Sequence, residues 1–266
     1  MHWALHTTVA LYTLGLLQSV FGFYQKRQIF VRVALGMVGL GFAFHTFSLI
    51  AVGLQRHHFP ITNLSESLSF FAWCITLTFI MAYFRYKINV LGAFVLPLVS
   101  LLTVLSQLVW EENQAIPPLL RSKWLYLHTS VAFLAYAAFF LTFVSGILYL
   151  IQEKELKSKK FRFFYFRLPS LQVCDDLLRR SLFVGFVSMS ITILTGAFWA
   201  QQAWGRFWSW DPKETASLIT WVIYLLLVNY RLSASWRGRR AAYISIVGFV
   251  SILFTFGINW GLHTYL

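Results

Sequence analysis

Residues 181–203 read SLFVGFVSMSITILTGAFWAQQA, a run of 23 residues without Asp, Glu, Lys or Arg. An α-helix needs about 20 apolar residues to cross the hydrocarbon core of a bilayer, so this run can span a membrane. Seven more apolar runs of suitable length cover residues 2–23, 30–54, 68–84, 88–110, 124–152, 215–230 and 241–262 of the 266-residue chain. The sequence therefore predicts an all-α membrane protein, a bundle of about eight transmembrane helices.

The composition excludes an ordinary water-soluble domain. Hydrophobic residues make up 58% of the chain and charged residues only 12%, far from the balance of soluble domains. The first apolar run is too long for the core of a cleavable signal peptide and is followed by further spans. No soluble segment of domain size and no clear internal repeat is visible, so we expect a single integral-membrane domain over residues 1–266.

The basic residues predict the orientation of the helices. If the runs cross the membrane alternately, 17 of the 22 Lys and Arg residues fall on one side. Because cytoplasmic loops are enriched in Lys and Arg, that side is predicted to be cytoplasmic. Both termini and the connection at 204–214 are then extracytoplasmic. Orientation in the bilayer also explains the net charge of +13, so we expect no nucleic-acid partner.

The connection between the sixth and seventh runs is unusually aromatic. Residues 204–214 read WGRFWSWDPKE, with Trp204, Trp208 and Trp210 beside four charged residues. Aromatic faces bind planar apolar ligands and cations, which favours a ligand site. The alternative is a tryptophan belt at the membrane surface. Asp211 to Glu214 also fit a helix start, with Pro212 in the first turn and acids at the positive end of the helix dipole.

Histidines near the same predicted surface are candidate ligands. His128 lies about one turn into the fifth run, and His263 lies just beyond the eighth. Two neutral imidazoles over an aromatic surface can bind the two axial faces of a haem iron. The alternative is that each is a polar residue at the membrane interface. His58 is a weaker candidate in the first outer loop. His45, inside the second run, either meets a polar partner or helps to hold a ligand.

Cationic side chains of the aromatic connection add to this hypothesis. Arg206 or Lys213 could meet the propionate groups of a haem. A second basic segment, residues 157–167 on the predicted cytoplasmic side, alternates Lys and Arg with Phe and Tyr. It is typical of a segment lying on anionic headgroups, or it only anchors the topology.

Residues 204–215, WGRFWSWDPKET, resemble the tryptophan-rich signature of the CcsA/CcmC/CcmF family, whose members deliver haem for cytochrome c maturation. The resemblance to the CcsA branch, which belongs to the System II pathway, extends along most of the chain. It includes HFP at 58–60 with Asn63, Glu66 and Ser67, Trp124 to His128, WRGRRAA at 236–242 and GLHTY at 261–265.

The resemblance implies a site and a function. His128 and His263 would be axial ligands of a haem b that lies on the tryptophan-rich connection. The candidate haem-binding residues are His128, His263, Trp204, Gly205, Arg206, Trp208, Trp210, Asp211, Pro212, Lys213 and Glu214, with His58 and His45 as weaker candidates.

The same resemblance implies the partners and the location. Haem would be presented on the extracytoplasmic face for covalent attachment to an apocytochrome c with a Cys-x-x-Cys-His motif. A CcsB-like membrane partner is expected, in a bacterial plasma membrane or an equivalent energy-transducing membrane. The chain would contribute to a holocytochrome c synthase, but no residue is assigned a catalytic role.

One position departs from the family pattern. The span after the signature commonly carries a histidine near its inner end, where this chain has Asn229. That departure keeps an alternative open, a HemX-like membrane regulator of haem synthesis, although the intact signature favours CcsA. An unrelated secondary transporter is a minor alternative, because such proteins commonly contain inverted repeats and this sequence shows no clear repeat.

Overall fold

The structure is a computed structural model that describes residues 2–110, 121–158, 163–232 and 238–262. Within these ranges the chain forms eight α-helices and no strand. The helices are α1 His2–Gln25, α2 Gln28–Arg56, α3 Leu64–Tyr86, α4 Leu91–Leu108, α5 Lys123–Ser158, α6 Leu171–Trp204, α7 Pro212–Leu232 and α8 Arg239–Leu262. Helices α1 to α7 are long and apolar enough to cross a membrane. The predicted all-helical membrane fold is confirmed.

Helices α5 and α6 extend beyond the predicted spans. The sequence predicts a fifth span that ends at residue 152 and a sixth that begins at residue 181, but α5 continues to Ser158 and α6 begins at Leu171. Charged residues in these extensions pair along the helix, as in the 2.7 Å contact between Lys157 and Glu153. Hydropathy marks the membrane-spanning part of a helix and misses polar turns that continue it into water.

The eight helices form two compact units, the first with α1 to α4 and the turn at 163–169, the second with α5 to α8. In the first unit each helix contacts the next, and α1 also contacts α4. The second unit has the same order, with α5 contacting both α6 and α8. Each unit is therefore a four-helix bundle with sequential neighbours. This repeat of topology was not visible in the sequence.

The third helix of each bundle begins in the same way. Asn63 precedes α3, and its side-chain oxygen accepts the Glu66 N–H at 2.9 Å. Asp211 precedes α7, and its Oδ1 accepts the Glu214 N–H at 2.7 Å. Side-chain caps of this kind satisfy N–H groups that the helix leaves unpaired. The helix start predicted at Asp211 is present, and α3 has an equivalent start at Asn63.

The centre of the second bundle is filled by stacked aromatic rings. Phe139 on α5 and Tyr224 on α7 lie parallel with their ring centroids 3.5 Å apart, and neither is exposed. Glycines face these rings from the other two helices. A Cβ added to Gly185 would lie 2.5 Å from Phe139, and one added to Gly248 would lie 2.8 Å from Tyr224. Small residues thus let helices approach closely around the rings.

The opposite face of α6 is apolar and exposed. Its exposed side chains recur at helical spacing and comprise Val184, Val187, Ile191, Leu194 and Phe198. A helix that buries small and polar residues against its own bundle, and exposes branched and aromatic ones, is suited to contact with lipid tails.

A buried ion pair holds the other end of this bundle. The Arg231 side chain is only 1% exposed and donates to both carboxylate oxygens of Asp175, at 2.7 and 3.0 Å. The neighbouring pair, Asp176 with Arg179, is exposed and longer at 3.6 Å. Removal of the Asp175 carboxylate would therefore leave a buried guanidinium unpaired, whereas removal of the Asp176 carboxylate would leave an exposed one.

We predict that Asp175→Ala destabilises the protein by about 3 kcal/mol, because it leaves the buried Arg231 guanidinium without a counter-charge. The matched control Asp176→Ala should cost less than about 1 kcal/mol, as expected for an exposed pair. Thermal unfolding of the detergent-solubilised variants measures both. Equal losses in the two variants would show that the buried pair does not stabilise the bundle.

Candidate functional site

The turn between α6 and α7 is closed by its own polar groups. Helix α6 is capped by Gly205, whose φ of +72° places it in the left-handed region and whose N–H donates to the Gln201 carbonyl. At the other end the Glu214 carboxylate accepts the Ser209 N–H at 2.7 Å, while Asp211 accepts the Glu214 N–H. This reciprocal capping fixes the backbone of the tryptophan-rich turn.

A cavity of about 70 Å³ lies between this turn and helices α5 and α6. Six of the predicted site residues line it: His128, Trp204, Trp208, Asp211, Lys213 and Glu214. Phe207 and Trp199 add two more aromatic side chains. The hypothesis that His128 and the aromatic turn lie at the same level is therefore consistent with the geometry of the second bundle.

The orientation of His128 is set by α6. Its Nδ1 lies 2.8 Å from the Thr192 carbonyl oxygen, which can only accept, so Nδ1 carries the proton. In the neutral ring Nε2 then has a lone pair, and it has no hydrogen-bond partner among the described residues. A Cβ on Gly196 would lie 2.7 Å from the ring, so the absence of a side chain there lets the imidazole lie against α6.

Indole N–H groups supply unused donors around the same cavity. The Nε1 atoms of Trp199 and Trp208 are buried and have no acceptor within the described ranges. A buried donor without a partner is costly, and an acceptor carried by a ligand would satisfy it. Lys213 adds a cation to the lining. An imidazole nitrogen, aromatic surfaces, two N–H donors and an ammonium group together fit an iron porphyrin with acidic side chains. The two carboxylates of the lining, Asp211 and Glu214, accept backbone N–H groups of the turn.

The size of the cavity indicates how such a ligand would bind. Pockets that enclose a small molecule measure roughly 300–1,000 Å³. A cavity of about 70 Å³ cannot enclose a porphyrin, but it can receive one edge of a flat molecule. The aromatic rim is open, since Trp204 is 37% and Phe207 53% exposed. The cavity with its open rim of Trp204 and Phe207 is therefore a shelf, which differs from an enclosed pocket.

Four other predicted residues of the turn do not line the cavity. Trp210 is 70% exposed and meets Trp208 edge to face, with ring centroids 5.7 Å apart. Gly205 and Pro212 have backbone roles, at the end of α6 and the start of α7. Arg206 is exposed. The predicted second ligand, His263, lies outside the described residues.

The two weaker candidates lie in the first bundle and have polar partners there. His45 is fully buried, with Nδ1 at 3.3 Å from the Tyr12 hydroxyl and Nε2 at 2.9 Å from the Ser69 hydroxyl. His58 donates from Nδ1 to the Phe59 carbonyl, and its Nε2 lies 3.7 Å from Glu66. Both side chains are thus held by hydrogen bonds or a nearby charge.

Asn229 lies at the position where the sequence resemblance leads us to expect a histidine. Its side chain is exposed, and its Nδ2 donates to the Leu225 carbonyl one turn earlier at 3.0 Å. An amide turned back on its own helix offers no ligand nitrogen.

Sequence reasoning missed the α6 residues of the site. Thr192, Gly196 and Trp199 occur within an apolar span, where they look like ordinary helix-packing residues. Their common signal is spacing, because residues three and four apart share one face of a helix. That face starts in the buried interior and ends at Trp199, whose ring contacts that of Trp204 with the centroids 5.0 Å apart. The three α6 residues could therefore have been considered together with the turn.

The fold and the site define a polytopic membrane protein with an open cavity lined by aromatic side chains and a histidine. A sequence profile of the family described as cytochrome c assembly protein matches residues 61–263. The chain therefore belongs to the cytochrome c assembly protein family.

Similar proteins agree with this assignment. The cytochrome c biogenesis protein CcsA of Guillardia theta is 37% identical over 237 residues, covering 80% of this chain and 78% of that protein. CcsA of Synechococcus sp. (strain CC9605) is 35% identical over 270 residues, covering 91% and 88%.

A solved structure shares the fold. The cytochrome c haem lyase CcmF superposes with a TM-score of 0.69 at 15% identity, over 96% of this chain. Because the identity is only 15%, the likeness concerns the fold alone. This chain spans 46% of the length of CcmF. Together the family profile and the CcsA relatives make this a CcsA-like integral membrane protein of cytochrome c biogenesis.

On the expectation that His128 is a haem ligand, we predict that Gly196→Ala weakens haem binding by about tenfold, because groups that orient a metal-ligating histidine contribute this much to affinity. The added methyl group would push the His128 ring away from the Thr192 carbonyl. Haem titration followed by absorbance measures the effect. Gly39→Ala is the matched control, since a Cβ there meets no atom within 4 Å. Unchanged binding in Gly196→Ala would show that the ring position does not matter.

Proposed function

We propose that this protein presents haem b on its tryptophan-rich turn for covalent attachment to apocytochrome c. The observation that carries the proposal is the His128 imidazole, whose free Nε2 belongs to an aromatic cavity with two unused indole donors. In this proposal His128 is one axial ligand and His263 is the other. The indole N–H groups and Lys213 are the donors for the propionates, with Arg206 as a further cation.

The open rim supports the presentation of haem to a second protein over the storage of haem. A haem delivery protein must bind its ligand and also release it to a second protein. A shelf that receives only one edge leaves the remainder accessible to an apocytochrome c with a Cys-x-x-Cys-His motif. The haem supplies the vinyl groups that become thioethers, while the aromatic side chains that line the cavity offer a surface for its plane.

The proposed setting follows from the charge distribution. The turn at 204–214 and both termini face the extracytoplasmic side, because 17 of 22 Lys and Arg residues lie on the other side. Haem attachment then occurs outside the cytoplasm, in a bacterial plasma membrane or an equivalent energy-transducing membrane. A CcsB-like membrane protein is the proposed partner in a System II synthase.

The alternative function, a HemX-like regulator of haem synthesis, is favoured by one observation. The Asn229 amide bonds its own helix and provides no intramembrane ligand where the family pattern has one. The capped turn and the His128 geometry, however, support the proposal of a haem site at the outer surface. We therefore place haem presentation first.

We predict that the purified protein contains low-spin haem b with two histidine ligands. His128→Gly and His263→Gly should each remove one axial bond, converting the spectrum to high spin or abolishing haem binding. Added imidazole should restore the low-spin spectrum, since it can occupy the space of the deleted ring. Absorption and electron paramagnetic resonance spectra measure both steps.

His57→Asn is the matched control for these variants. His57 is exposed and has a left-handed backbone, a conformation that asparagine tolerates. Its spectrum should equal that of the unmodified protein. If both glycine variants also kept that spectrum, the assignment of the axial ligands would be wrong.

We further predict that co-expression with a CcsB-like partner and an apocytochrome c yields haem attached by thioether bonds. Haem staining of denatured protein on a gel detects this covalent product. His128→Gly should lower its amount at least about tenfold, as expected for loss of a metal ligand or its support. Co-purification with an enzyme of tetrapyrrole synthesis, without any attachment, would instead support the HemX-like function.

A further inference from the structure

A second cavity lies at the end of the first bundle where α1 turns into α2. It has a volume of about 250 Å³, and its lining includes Lys26, Arg27, Arg167, Gln28 and Asn89. Three cations and two amides, without a carboxylate, surround this space. The turn at 163–169 covers one side of it and contributes Arg167 and Phe166.

Arg167 is positioned by the end of α1. Its Nε and Nη2 donate to the carbonyls of Phe23 and Tyr24 at 2.8 Å each, and its Nη1 donates to the Phe163 carbonyl. The guanidinium also stacks on the Phe163 ring, 3.7 Å from its centroid. Since these bonds use three of about five N–H groups, donors remain for a ligand in the cavity.

The other two cations are held by the turn itself. Lys26 adopts a left-handed backbone with φ of +55°, and its ammonium group lies 4.8 Å from the centre of the Phe166 ring. Arg27 is the residue before α2 and makes no side-chain cap. The first N–H groups of α2 therefore add their partial positive charge at the same end of the helix.

No acid neutralises these cations within the described part of the first bundle. Glu66 is its single carboxylate there, and it lies at the opposite end of α2, paired with Arg56. The second bundle differs, because Glu153, Asp175 and Asp176 pair with its basic residues. The cations at the α1–α2 turn thus have no neutralising carboxylate among the described residues of their own bundle, and an anion in the cavity would balance their charge.

The surroundings of the cavity indicate an amphipathic anion. Tyr24, Ile29 and Phe166 are each about 60% exposed beside it, at the end of a membrane-spanning helix. A volume of about 250 Å³ is less than the roughly 300–1,000 Å³ of pockets that enclose a whole small molecule. The space accepts a headgroup, and the exposed apolar side chains offer a surface to acyl chains.

We propose that this cavity binds the phosphate group of an anionic phospholipid. Lys26, Arg27 and Arg167 are the donors, and the N-terminus of α2 assists them. Charge-assisted hydrogen bonds to phosphate are stronger than neutral ones and are favoured by converging cations. Anionic lipid would then hold the α1–α2 turn against the segment 163–169. This binding is independent of the haem site of the second bundle.

The test compares two double variants in detergent. Lys26→Gln with Arg27→Gln removes two cations from the cavity, while Arg85→Gln with Lys87→Gln removes two from the α3–α4 turn outside it. Each is titrated with phosphatidylglycerol, with zwitterionic phosphatidylcholine and with inorganic phosphate. Native mass spectrometry counts bound lipid, and thermal unfolding gives the apparent affinity.

We expect the unmodified protein and the Arg85/Lys87 variant to prefer phosphatidylglycerol. The Lys26/Arg27 variant should bind it about tenfold more weakly, as expected for the loss of hydrogen bonds to a charged group. Equal weakening in both variants would reduce the effect to general surface charge and overturn the proposal. Inorganic phosphate binding as tightly as phosphatidylglycerol would overturn the assignment to lipid.

Discussion

The position of two tryptophan side chains depends on one carboxylate, that of Glu214. It accepts the N–H of Ser209, the residue that separates Trp208 from Trp210, while the Glu214 N–H is itself bonded to Asp211. Holding the backbone at Ser209 restricts the directions in which both indoles leave the chain. The acids of the turn are therefore explained by backbone hydrogen bonds before any ligand is considered, and the aromatic shelf exists because the helix start closes on itself.

A second constraint joins this turn to the histidine. Helix α6 ends in Trp204, and the same helix supplies the Thr192 carbonyl that orients His128 and the Gly196 gap into which the ring fits. One rigid element therefore determines both the direction of the imidazole nitrogen and the place where the turn begins. A ligand that needs both groups meets them in a fixed relation, because helix backbones change little when ligands bind.

The sequence predicts the helices well, because a bilayer allows few other structures for long apolar runs. It also indicates Asp211, Glu214 and His128, whose polar side chains stand out among apolar neighbours. It could not separate Gly196 from other packing glycines, since a helix face becomes recognisable only when its neighbour is known. The partners of His45 were hidden for the same reason, because Tyr12 and Ser69 belong to other helices. The repeated bundle topology consists of the same order of helix contacts in both units. Many different apolar residues can form such contacts, so the repeat leaves no recognisable sequence pattern.

The stacked rings of Phe139 and Tyr224 have a consequence for transport. Glycines at 185 and 248 leave no space for even a methyl group beside them, so the middle of the second bundle is solid. A tetrapyrrole is far wider than a methyl group. While this packing lasts, the interior of the second bundle has no passage for so wide a molecule at the level of these rings.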